Sequence, residues 1–167
     1  MVRALNILPR HIPVVLGMPV AGLLWSLATL AAHPQDLSGA GISQPEALLL
    51  VSLGGLAQTL ALWLGFAAVL WAMIRGTGRR LSLIGLVSAV SGAALPLWIA
   101  APAAALWAGA GSENATALAA AALAGAVMFH FSLGRSLSED LHWSAHHATA
   151  VATAASLFLT SVAYLAA

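Results

Sequence analysis

Five long apolar runs, separated by short polar or glycine- and proline-rich breaks, organise the chain. They cover residues 13–32, 46–74, 81–107, 115–133 and 137–165. Each is close to or above the roughly 20 residues that an α-helix needs to cross a hydrocarbon core of about 30 Å. The pattern predicts an all-α integral membrane protein of five transmembrane helices, a single bundle over residues 1–167 with no room for a separate soluble domain. The first run follows Arg3 and Arg10 and has some features of a signal peptide. It is long for such a segment and lacks a clean cleavage site, so it is expected to stay as a helix. Pro96 and Pro102 fall inside the third run. Each removes a backbone donor and is expected to kink that helix.

Composition strengthens the membrane reading. Hydrophobic residues make up 61% of the chain and charged residues 7%, against about 25% charged in soluble domains. So few charges cannot cover a water-facing surface, and a lipid environment follows. The net charge of +1 offers nothing to a nucleic-acid backbone. The absence of cysteine excludes disulfides, thiolate-held clusters and a cysteine nucleophile.

The arginines set an orientation. With the N-terminus inside, the inner segments are 1–12, 75–80 and 134–140. They hold Arg3, Arg10, Arg75, Arg79, Arg80 and Arg135, which is every basic side chain other than histidine. The positive-inside rule then predicts an N-in, C-out protein of a bacterial-type inner membrane.

The last two runs are expected to form a close antiparallel hairpin. Ser144, Ala148, Ala152, Ser156 and Thr160 make one small-residue row, and Ala117, Ala121 and Gly125 another. Such rows let backbones approach where lipid supplies no hydrophobic drive. The turn is expected near residues 134–136. Ser136 would be the N-cap of the fifth helix and Glu139 its capping-box partner, with Asp140 favoured by the positive helix end.

Candidate chemistry gathers at that turn. On a helix starting at Ser136, Glu139, His142 and His146 share a face, and the hairpin would bring His130 to the depth of His142. Imidazoles with a carboxylate suit a divalent transition metal, so His130, Glu139, His142 and His146 are the candidate metal ligands. A b-type haem would instead use His130 against His146 or His147, with Arg135 near the propionates and Asp140 as partner to His147. The same residues also fit a plain membrane boundary with no cofactor at all.

No phosphate-binding, hydrolase, zinc-protease or calcium-loop motif occurs. The predicted midplanes carry no charge, and only the third-run prolines and Gln58 are polar or irregular there. Transport therefore ranks below two other readings. The first is a small membrane subunit of a redox or electron-transport system carrying haem or metal. The second is a non-catalytic subunit or assembly factor that packs against other membrane proteins or a second copy of itself.

Overall fold

The computed structural model describes residues 11–33, 43–109 and 112–166. Arg3, Arg10 and the greater part of the expected first outer loop lie outside these residues. The described residues contain helices and no strand: α1 (His11–Ala32), α2 (Gln44–Gly76), α3 (Leu83–Ala93), α4 (Leu97–Gly109), α5 (Ser112–Leu141) and α6 (Ala145–Ala166). The all-helical expectation holds. By length and apolarity, two helices can cross a bilayer on their own, α2 and the 114–141 part of α5. The bent pair α3–α4 makes a third if it counts as one span, and the apolar stretch Leu16–Ala32 of α1 is shorter.

The third run is two helices rather than one kinked helix. α3 and α4 meet at 70°. Pro96 lacks the N–H that would continue the ladder, and its ring would strike the carbonyl four residues back. The chain turns instead through tighter bonds from Ala94 N–H to Ser91 O (3.1 Å) and from Leu97 N–H to Ala94 O (2.9 Å). Pro102 is accommodated inside α4.

α1 lies against α2, α3 and α4, and α5 against α3, α4 and α6. α6 also touches α2. Glycines set the close crossings. A side chain at Gly17 would strike the Ser91 carbonyl, one at Gly22 would strike Thr59, and one at Gly55 would strike Ser26. α1 carries Pro19 inside it without a break. Next to that proline the Met18 N–H donates to Ser91 Oγ (3.2 Å) and the Trp98 indole N–H donates to the Gly17 carbonyl (2.8 Å). Neighbouring helices thus bond to the backbone just before the proline. Trp63 and Trp71 act alike, donating to the Val87 carbonyl (3.0 Å) and the Leu81 carbonyl (3.1 Å).

The continuous core joins α2, α3, α5 and α6 through Phe66, Leu70, Leu86, Phe129, Leu133 and Ala152, among others. Here the hairpin expectation needs correction. The turn does not fall at 134–136, because α5 runs on to Leu141. Ser136 is therefore a mid-helix residue and no N-cap, and Glu139 and Asp140 end α5 rather than begin the next helix. Gly134, which looked like turn chemistry, is where α6 crosses: a side chain there would strike Thr149.

The actual turn is built from less obvious residues. His142 sits at φ 56°, the left-handed conformation usual for glycine at a helix end. The Trp143 N–H reaches back to the Ser138 carbonyl at 3.2 Å, closing a Schellman motif. Ser144 then caps α6, its Oγ accepting from the His147 N–H at 3.3 Å.

The small-residue row of α6 is placed as expected at its centre, where Ala148 and Ala152 are fully buried together with Ala155. Ser144 and Thr160 are exposed. The row on α5 faces elsewhere: Gly125 meets Ala100 and the Pro96 carbonyl, so it serves α4 and not α6.

Candidate functional site: a cavity at the interrupted helices

The histidines separate along the real turn. His130 lies in α5, half-buried, and bridges to α6. Its Nδ1 is 2.7 Å from the Ala126 carbonyl and its Nε2 is 2.8 Å from Ser156 Oγ. A carbonyl only accepts, so Nδ1 carries the proton and Nε2 accepts from the Ser156 hydroxyl in the neutral ring. Both ring nitrogens are thereby engaged within the protein.

His142 is twelve residues further along, about 18 Å at 1.5 Å per residue, so it is not level with His130. Its Nδ1 donates to the Glu139 carbonyl at 3.1 Å, satisfying one of the free carbonyls at the end of α5. His146 and His147 are exposed in the first turn of α6. The His147 ring stands edge-on to Trp143, with centroids 4.6 Å apart. Arg135 and Glu139 form an exposed ion pair one turn apart on α5, at 3.4 Å, a geometry worth little in stability. Asp140 lines a small groove with Ser132 and Ser136 against α3. Among the described residues, no three His, Asp or Glu side chains are grouped so as to hold a metal ion. The set of His130, Glu139, His142 and His146 depended on a helix beginning at Ser136. With the break moved to residues 142–144, its members fall on α5, on the turn and on α6.

A different feature stands out. A cavity of about 390 Å³ lies between α1, α2, α4 and α5. Each of the first two helices gives one face at i, i+3, i+4 and i+7 spacing: Met18, Ala21, Gly22 and Trp25 from α1, and Gly55, Gln58, Thr59 and Leu62 from α2. α4 contributes Leu97 and three alanines, and α5 contributes Ala122 and Ala126. Pro19 and Pro96 both border it, since Met18 precedes the one and Leu97 follows the other. Small side chains on the four helices leave the space.

The lining is apolar except for Gln58, Thr59 and the Trp25 indole, and it holds no ionisable side chain. Among the described residues none of these three side chains has a hydrogen-bond partner. Gln58 is exposed where the cavity opens at the surface of the bundle. An unpaired amide among apolar side chains is unfavourable.

Sequence reading singled out Gln58 and the third-run prolines but not the cavity that joins them. The available signal was the periodic Gly55, Gln58, Thr59, Leu62 face of α2. It becomes visible only once α1 is known to cross it. No described protein family matches the chain, and neither a curated protein nor a solved structure does.

Proposed function

We propose that this chain is a five-span, N-in and C-out protein of a bacterial-type inner membrane, and that it works as a small carrier or accessory protein holding a lipid-soluble ligand. The observation that carries the reading is the cavity of about 390 Å³ between α1, α2, α4 and α5, bordered by the break between α3 and α4. Helices broken within the bilayer leave backbone and side-chain groups free for a ligand, and binding sites in membrane transporters are built at such breaks. In size and apolar lining with a few convergent polar groups, the cavity fits a small-molecule site. Five spans follow if α1 and α6 also cross, since 22 residues each extend about 33 Å. The orientation rests on the arginines.

The haem- or metal-bearing redox subunit is a second reading, and less in the geometry favours it. His130 would have to release Ala126 or Ser156 to become a ligand, and His142 would have to give up its place at the end of α5. A purely packing role, against another membrane subunit or a second copy, would draw on exposed apolar residues such as Leu49, Leu53, Leu157 and Phe158. Lipid alone accounts for their exposure.

One preparation tests these readings together. Wild type and Ala122→Phe, in which the ring fills the cavity, are purified in mild detergent, extracted with organic solvent, and their lipophiles identified by mass spectrometry. The carrier reading expects a lipophile at about one per chain in wild type, by analogy with other single-site pockets, and its loss in the filled variant. Identical lipid content in the two proteins overturns it. A Soret band or stoichiometric bound metal in the same wild-type sample would return the function to the histidines.

A further inference from the structure

We propose that the cavity takes an uncharged lipophile that presents carbonyl oxygens as hydrogen-bond acceptors. This rests on the cavity being a ligand site and goes on to the chemistry of what fills it.

The polar groups of the lining decide the class. Gln58 offers two N–H donors and one acceptor, the Trp25 indole offers one donor, and the Thr59 hydroxyl can donate or accept. Donors therefore outnumber fixed acceptors. A ligand whose head only accepts leaves fewer of them unpaired. A hydroxyl head would bring a further donor and compete for the single amide oxygen. A primary amine or an acid would bring a charge. The lining holds no Arg, Lys, His, Asp or Glu to meet it, and an unpaired charge among apolar side chains is strongly disfavoured.

The geometry adds a shape. Gln58 and Trp25 stand on the α2 and α1 walls, whereas the α4 and α5 walls present Leu97 and alanines. A ligand with a flat or ester-like polar end toward the first pair and hydrocarbon against the second satisfies both. Such carbonyls occur on quinones and on the ester groups of neutral glycerolipids, and the chemistry required of the site is the same.

The test uses the full chain in detergent and three probes: a decyl-substituted benzoquinone, a dioleoylglycerol, and decylbenzene, which has no acceptor oxygen. Retention is read by native mass spectrometry, with circular dichroism confirming that each variant is folded. Wild type should retain one or both carbonyl probes, with decylbenzene held about tenfold more weakly or worse, the difference expected for one or two hydrogen bonds. Gln58→Leu should lower retention of the carbonyl probe about tenfold, on the same hydrogen-bond scale, and leave decylbenzene unchanged. Ala122→Phe should abolish every probe. Retention of the benzoquinone alone or the glyceride alone supports the inference and identifies the source of the carbonyl.

Two results overturn it, and they differ. Decylbenzene held as tightly as the carbonyl probes, or a Gln58→Leu protein indistinguishable from wild type while Ala122→Phe is empty, refutes the carbonyl chemistry and leaves the cavity as a ligand site. Failure of wild type to retain any probe, with Ala122→Phe behaving the same, removes the ligand site itself.

Discussion

His130 Nε2 and Ser156 Oγ lie 2.8 Å apart across the α5–α6 interface, and Ser156 Oγ is also 3.2 Å from the Ala152 carbonyl. One hydroxyl proton can serve only one of these acceptors at a time. With the ring neutral, Ser156 donates to Nε2. Both ring nitrogens are then paired, which lets an imidazole sit between two apolar helices. The pair works as a clamp.

That clamp can be measured. Ser156→Ala leaves Nε2 without a partner, and His130→Ala removes the ring. A double-mutant cycle on unfolding in detergent should give a coupling of roughly 0.6–1.7 kcal/mol, the range found for interhelical bonds in membranes. A coupling indistinguishable from zero would mean that the two side chains do not bond in the folded protein.

His142 gives a prediction of opposite sign for two substitutions. Its left-handed backbone is unfavourable for a non-glycine residue by about 1–2 kcal/mol, offset in part by the side-chain bond to the Glu139 carbonyl. His142→Ala keeps the strain and loses the bond, so it should destabilise by about 0.5–1.5 kcal/mol. His142→Gly loses the bond but removes the strain, so it should be neutral or stabilising. If glycine were the worse of the two, His142 would not be held in that conformation, and its role as a metal ligand would be open again.

The same residue explains much of what the sequence concealed. Apolar helices were legible because hydrophobicity over twenty residues is a strong, additive signal. The Ala148–Ala152 row was legible because small-residue periodicity survives without knowledge of the partner. The turn was not. Ser136 and Glu139 carry the letters of a capping box, and Gly134 those of a turn. The chain resolves this local ambiguity through tertiary packing, with Gly134 crossing Thr149 and Trp143 joining the core. Moving the break from 134–136 to 142–144 separated the expected ligands, so an error of two helical turns was enough to dissolve the candidate metal set. Gly22 and Gly55, which let α1 and α2 approach and line the cavity, look in the sequence like two more small residues in a chain full of them.

Topology has a direct check. An enzyme that is active only outside the cytoplasm, fused after Ala167, should be active, and one fused after Thr77, in the basic segment, should be silent. The reverse pattern would overturn the orientation. Activity at both positions would mean an even number of crossings between them. Either the α3–α4 pair would then enter and leave the bilayer on one side, or one of α5 and α6 would not cross.

The crossing of α1 with α3 and α4 beside Pro19 gives the most local test of how the bundle packs. The Trp98 indole donates to the Gly17 carbonyl, and Ser91 Oγ accepts from the Met18 N–H, both just before Pro19. Trp98→Phe keeps most of the ring but removes the donor. The Gly17 carbonyl would keep the Ala21 N–H of its own helix and lose only the indole, at a cost of about 0.5–1.5 kcal/mol for one hydrogen bond. Gly17→Ala acts on the same contact sterically, because its new methyl would strike the Ser91 backbone rather than a yielding side chain. It should be destabilising by about 1–3 kcal/mol as overpacking. The two changes act on one crossing and should be less than additive when combined. Pro19→Ala would restore a donor to the Val15 carbonyl, four residues back, and should leave the effect of Trp98→Phe unchanged. Unfolding measurements on the single and double variants in one detergent decide the matter: fully additive effects of Trp98→Phe and Gly17→Ala would show that the two do not act on one crossing.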